Sequence, residues 1–403
     1  MSLKDINIGG HDVFVEGLPF EQFATLRAEA PVYLHPQIEL DQPAEGFWVL
    51  TRHADVVRAN RQWETFSSAA KGALMVEDRP DLEFARIMLD WDPPEHTRLR
   101  TLVSRGFTPK VIRSMDGHFR EVTRRIVGEA VASGTFDFVP TVAAELPLIA
   151  IAELLGLPFE DRHKVFQWSN ALIGNDDPEY GGSAELSQAA MTELYMYANN
   201  LAAERKIEPR QDIISTLLSA EGDQQLSEHE FDLFILILAV AGNETTRNAI
   251  AHGMHAFLQF PDQWQLLKSN PTDLLDGAIE EVLRWATPVM QFRRTATCDV
   301  EMGGATIKKG DAVMLNYLSA NRDETVFTNP DTFDITRSPN PHVAFGGGGP
   351  HHCLGVSLAR LEMRIMFEEL ISQVDHFELA APVERLRSNF INGIKHLHVT
   401  AIV

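Results

Sequence analysis

Four consecutive glycines, Gly346 to Gly349, stand just before Cys353, one of only two cysteines in a chain of 403 residues. The full stretch, Phe345 to Gly355, reads FGGGGPHHCLG, and an apolar helical pattern opens directly after it at Val356. Glycine gives up more backbone entropy on folding than any other residue. A run this long is therefore expected where the chain must take positive φ or approach another group closely. A nucleotide phosphate is one candidate occupant. However, the Lys-Ser/Thr of a phosphate loop is missing, and no strand-loop-helix βαβ unit surrounds the run. Zinc is a second, since His351 and His352 abut the cysteine, but no further Cys pair or spaced His pair completes four ligands. A single thiolate suffices for a metal that brings its other donors with it, as haem iron does. The alternative is a structural cysteine buried beside a loop.

FGGGGPHHCLG resembles the haem-ligand loop of the cytochrome P-450 (haem-thiolate monooxygenase) family, with Cys353 at the ligand position. One detail departs from the common pattern. The aromatic residue usually stands seven before the ligand; here Gly346 does, and Phe345 is eight before, as in a glycine-rich subset of bacterial members. The resemblance covers nearly the whole chain, from FWVLTRHADV through DPPEHTRLRTLVSRGFTP and AGNETTRN to SNFINGIKHLHV. Within the family these segments look most like the enzymes that hydroxylate sterol side chains or methyl-branched lipids. The resemblance implies one domain over residues 1–403 with the triangular cytochrome P-450 fold, mainly α with small β-sheets. It also implies haem b (iron protoporphyrin IX) between the helix after Ser227 and the helix after Gly355.

Composition bounds the partners. A net charge of −22 argues against general nucleic-acid binding. The charge is uneven: between His96 and Arg125 stand Arg98, Arg100, Arg105, Lys110, Arg113, Arg120, Arg124 and Arg125 against Asp116 and Glu121. Such an island is either a solvated helix face or a docking site for an acidic partner. The N-terminal residues carry neither a basic flank nor an apolar run, so no signal peptide or anchor is expected. The longest apolar run, Phe234 to Ala241, is far short of a membrane span. Two cysteines fit a reducing cytoplasm, and Cys298, in ATCDVEMGG, is expected to be a half-buried structural thiol.

Hydrophobic periodicity predicts helices over Phe20–Arg27, from Asp55, from Pro93, and over Val111–Ala132, Val142–Leu155, Phe159–Leu172 and Glu185–Ala203. Ser227 and Glu230 form a capping box before a long apolar helix reaching about Leu258. Thr272 is read as the cap of another, ending before Pro288. Phe47–Thr51, Asp299–Gly303, Ala305–Lys308, Asp311–Tyr317, Phe377–Leu379 and Leu397–Val403 read as strands.

The resemblance assigns roles residue by residue. Glu281 and Arg284, three apart on one helix face, match a buried structural pair that Arg337 joins as a third member. AGNETT, Ala241 to Thr246, places polar residues inside an apolar helix, where threonine hydroxyls compete for backbone carbonyls. The family has a groove there for dioxygen, which makes Glu244 and Thr245 the acid–alcohol pair that delivers protons to the oxygen site. The Cys353 thiolate would push electron density from the opposite side. His96 and Arg100, four apart on one face, match the family's partners for the two haem carboxylates, as do Arg294 and His351. Phe345, Gly355 and Ala241 complete the expected cofactor contacts.

The family reaction inserts one atom of dioxygen into an unactivated C–H bond. Electrons would come from NAD(P)H through a separate ferredoxin and its reductase, because no flavin or iron–sulfur module is evident and two cysteines cannot form a four-cysteine cluster. Arg360 and Arg364 would join the basic island around the Cys353 face. A peroxide-driven enzyme would lack the acid–alcohol pair, and a non-catalytic haem protein would not need it. Segments 74–88, 171–180, 236–241, 289–292 and 391–394 are expected to face the pocket, with Leu74, Met75, Ile237, Val240, Val289, Met290, Phe292 and Ile391 in contact with substrate. These side chains are apolar, which favours a long or multi-ring hydrophobe, with a compact terpenoid or aromatic hydrocarbon second. Asn392, Lys395 and the Gly72–Met88 loop are the candidates to hold one polar end.

Overall fold

The computed structural model describes residues 1–36, 46–74, 85–174, 176–180, 183–220 and 225–403. Its centre is the helix Glu228–Gln259, which starts where the sequence places a capping box. The Ser227 hydroxyl accepts from the Glu230 N–H at 3.1 Å, and Glu230 Oε2 accepts from the Ser227 N–H at 2.8 Å. Two of the orphan donors at a helix start are thereby satisfied. Helices Glu145–Leu155, Arg162–Ile173, Ala184–Ile207, Pro271–Ala286 and Val356–Gln373 pack around it. Glu145–Leu155 is apolar on nearly every side and is buried accordingly. Gly242 lets the two backbones close: a Cβ there would lie 2.1 Å from Ile151 Cδ1.

A five-stranded sheet lies to one side, in the order Val32–His35, Phe47–Leu50, Ala312–Asn316, Gln291–Ala296, Phe66–Ser67. Only the pairing of Phe47–Leu50 with Ala312–Asn316 is parallel. The two-residue period sorts the side chains: Val313 and Leu315 enter one apolar cluster, Met314 the other. Smaller sheets close the C-terminal end, where His398–Ile402 pairs with both Thr135–Asp137 and His376–Leu379.

Several expectations change. The helix Pro271–Ala286 begins with Pro271 after Asn270, so Thr272 lies inside its first turn and is not the cap. A separate helix, Pro261–Ser269, precedes it. Strand Gln291–Ala296 carries no alternation to read, because five of its six residues are buried, arginines included. Cys298 is exposed in the turn between Gln291–Ala296 and Val300–Met302, not half-buried.

Candidate active site

All four glycines of the run take positive φ: 96° at Gly346, 65° at Gly347, 105° at Gly348 and 82° at Gly349. L side chains rarely adopt this region. The run also lies against the end of the helix His53–Arg61, where a Cβ on Gly349 would stand 2.2 Å from the Asn60 carbonyl oxygen. Both reasons for a glycine run therefore hold at once. The loop is closed by the Cys353 N–H, which donates to the Phe345 carbonyl at 3.0 Å. Chain direction then delivers Cys353 to the foot of the helix Val356–Gln373.

The Cys353 sulfur is enclosed by protein on its far side and exposed toward a cavity of about 1470 Å³, counted to its open mouth. Burial raises the thiol pKa, opposed by the Gly355 N–H and by the charges of Arg100 and Arg360.

Arg100, Arg294 and His351 line one side of the cavity, and the buried His96 ring lies 4.3 Å from that of His351, centroid to centroid. Burial, helped by Arg294, His96 and Arg100, pushes His351 down to about 2; burial and Arg100 push His96 down to about 4. Arg294 donates to the Arg293 carbonyl at 2.7 Å and to Asn60 Oδ1 at 3.3 Å. His351 Nε2 meets the Ser68 hydroxyl at 3.2 Å. His96 Nε2 and His351 Nδ1 have no hydrogen-bond partner among the described residues. The nearest acid, Asp92, is occupied by Ser67 and by the Ser68 N–H. A buried guanidinium, Arg294, and a half-buried one, Arg100, beside two imidazoles with unused nitrogens fit a cofactor that carries a pair of carboxylates. The residues present thus suit haem: one thiol below, cations at the rim, and a large apolar space.

Across the cavity the long helix runs unbroken through AGNETT. Ala241, Gly242, Thr245, Thr246 and Ala249 line the wall. The Thr245 hydroxyl donates to the Ala241 carbonyl at 2.8 Å, the competition for an i−4 carbonyl expected of threonine in a helix. Glu244 is not on the wall. It is buried, held by Arg247 and, at 2.9 Å, by Asn248, while Arg247 reaches Asn170 Oδ1 at 2.8 Å on the helix Arg162–Ile173. Glu244 Oε2 has no hydrogen-bond partner among the described residues.

Of the expected substrate contacts, Ile237, Val289 and Phe292 line the cavity. Val240 and Leu74 are half-buried beside it and outside the lining set. Met290 is buried in the core beneath the sheet, and Ile391 is buried where it bridges Val289. Met75 lies outside the described residues. Asn392 and Lys395 do not hold the mouth: Asn392 binds the Ala286 carbonyl, and Lys395 pairs with Asp177 and Glu179.

The sequence reading missed three contributors. Asn60 and Ser68 are orienting partners that carry no motif. Glu362, on the wall, is buried with Oε2 unpartnered, and burial raises its pKa well above the usual carboxylate range. Its position in an apolar helix was the available signal.

Glu281, Arg284 and Arg337 meet as a buried network. Arg284 binds Glu281 through two bonds of 2.8 Å, Arg337 adds one of 3.1 Å, and the Asp334 N–H completes the carboxylate. Removing one member would leave a buried charge unpaired, at a cost of roughly 3–5 kcal/mol.

A family model described as cytochrome P450 matches residues 160–394. A steroid C26-monooxygenase of Mycolicibacterium smegmatis is 45% identical, covering 96% of this chain and 91% of that protein. A methyl-branched lipid omega-hydroxylase of Mycobacterium bovis is 40% identical, covering 99% and 95%. Among solved structures, a Mycobacterium marinum cytochrome P450 in complex with pseudoionone superposes with a TM-score of 0.92 at 39% identity, covering 98% of each chain.

Proposed function

The chain belongs to the cytochrome P450 family of haem-iron monooxygenases, and on that premise we propose that it hydroxylates the far end of a sterol side chain or of a methyl-branched lipid, with Cys353 as the residue that would hold the haem iron. The observation that carries the reading is the Cys353 sulfur opening onto an apolar cavity whose opposite wall bears Thr245. The names borne by full-length relatives support the substrate class.

Haem, when bound, supplies dioxygen activation at an iron whose thiolate ligand donates electron density. The cofactor is haem b, because a chain with Cys298 and Cys353 has no C-x-x-C-H attachment site. Arg100 and Arg294 would neutralise its carboxylates, and His351 and His96 would donate to them through the nitrogens that have no partner among the described residues. Thr245, anchored by its own donated bond, presents its oxygen lone pairs to the cavity and accepts a proton-bearing group there. Glu244 enters proton transfer when its carboxylate leaves Arg247; Oε2 is the free atom. Ile237, Val289 and Phe292 exclude water and hold the hydrophobic chain. The acid–alcohol pair speaks against a peroxide-driven enzyme or a passive haem carrier.

Electrons come from NAD(P)H through a ferredoxin and its reductase. The docking face is formed by the helices Pro109–Ala132 and Val356–Gln373, which pack together behind Cys353. Lys110, Arg113 and Arg125 are exposed there, while Arg120, Arg360 and Arg364 are engaged with Glu368, Glu280 and Asp276. Among the described residues no helix is long and apolar enough to cross a membrane. We place the reaction in the cytoplasm, where unpaired cysteines stay reduced.

Titration of the ferric protein with cholest-4-en-3-one, a methyl-branched fatty acid, a monoterpene and biphenyl tests the substrate class. One of the first two should bind tightly with a low-to-high-spin shift. Tight binding by the last two alone would overturn the choice.

A further inference from the structure

A second, smaller pocket, with about 570 Å³ of space when the solvent at its mouth is included, adjoins the main cavity and shares Met88 and Phe234 with it. Its walls are otherwise Trp91, Leu99, Val103, Leu226 and Leu233, with Arg86, His229 and Glu230 as the charged or titratable groups. Arg86 is built into place. Its Nη1 donates to the Ala69 carbonyl at 2.7 Å and the Asp90 carbonyl at 3.3 Å, and its guanidinium lies 4.8 Å from the Trp91 ring centroid. Neutral carbonyls and an aromatic face orient the cation without cancelling its charge. Among the described residues no carboxylate pairs with it. The one acid on the wall is already engaged: Glu230 accepts from Arg98 and from the Ser227 N–H. Although burial works to raise its pKa, those contacts keep it lowered, so it remains an anion already committed to Arg98.

Resting on the monooxygenase reading above, we propose that this chamber holds the carboxylate head of a long hydrophobic substrate, with Arg86 as the anion-recognising residue. The geometry suits oxidation at the opposite end. Glu230 on the chamber wall and Ala241 on the main-cavity wall lie eleven residues apart on one helix, about 16 Å at 1.5 Å per residue. A substrate anchored at Arg86 runs past Phe234 and Ile237 and presents its far end in the space over Cys353. The substrate is therefore a lipid acid in preference to a neutral sterol.

The test compares a long methyl-branched fatty acid with its methyl ester, by spin-state titration of the haem-loaded protein. The acid should bind about tenfold more tightly than the ester, the size expected of one charge-assisted contact. Arg86→Gln should abolish that preference and Arg86→Lys should keep most of it, with the ester's affinity as the control for an intact pocket. Equal affinities in the unaltered protein would overturn the inference while leaving the lipid reading standing. So would a loss in Arg86→Gln that is the same for acid and ester. If neither compound shifts the spin state but cholest-4-en-3-one does, the inference falls and the sterol reading stands; if none of the three does, both fall.

Discussion

Burial holds the Cys353 thiol protonated more firmly than water would, while Arg100, Arg360 and the Gly355 N–H pull the other way. Coordination of haem iron by Cys353 would take the proton's place, and these three groups would then stabilise the sulfur's charge. Replacing Cys353 with His should therefore retain a haem protein but lose the red-shifted Soret band of the reduced carbon monoxide complex. Persistence of that band would move the ligand elsewhere, and exposed Cys298 is the only other thiol. At this scale the sequence singled out Cys353, His351, Arg100 and Arg294 from three separate segments, and the structure brings all four to one cavity. The sequence was least informative where direction decides. Glu244 and Thr245 are neighbours in the chain, yet at 3.6 residues per turn they point about 100° apart, so Thr245 lines the cavity while Glu244 is buried against Arg247 and Asn248. Asn60 and Ser68 have no pattern of their own; they matter because the glycine run and His351 are folded onto them.

The long helix Glu228–Gln259 brings its cap, its buried polar face and its cavity wall into one element. The threonine bond to Ala241 is local to it, so the mutation Thr245→Ala removes a hydroxyl without disturbing the fold. That variant should keep haem and bind substrate, but its product per NADH consumed should fall by roughly tenfold or more, the missing electrons appearing as hydrogen peroxide. An unchanged ratio would remove Thr245 from proton delivery. Capping and the 3.6-residue period made the helices legible, because each buries one face or, for Glu145–Leu155, nearly all of them. Strands were harder. Gln291–Ala296 has neighbours on both edges and on both faces, so its arginines are buried by tertiary contacts that no local pattern announces.

Across the whole molecule the chain is acidic, yet the helix Pro109–Ala132 exposes Lys110, Arg113 and Arg125 together. Exposed charges are screened beyond about 8–10 Å near physiological salt. Reduction by an acidic ferredoxin should therefore slow steeply as ionic strength rises, and salt-independent reduction would remove this docking face. The joined features, a thiol, a cationic rim, an apolar cavity and a hydroxyl across from the sulfur, make sense together only if one oxygen atom is transferred to a hydrophobic substrate. Turnover under oxygen-18 gas, with a surrogate ferredoxin and reductase and with cholest-4-en-3-one or a methyl-branched fatty acid as substrate, measures that transfer directly. The account predicts a hydroxylated product carrying one labelled oxygen atom at the chain end remote from the ketone or carboxylate. A product whose new oxygen comes from water, or no product while a bound substrate shifts the spin state and electrons flow, would contradict it.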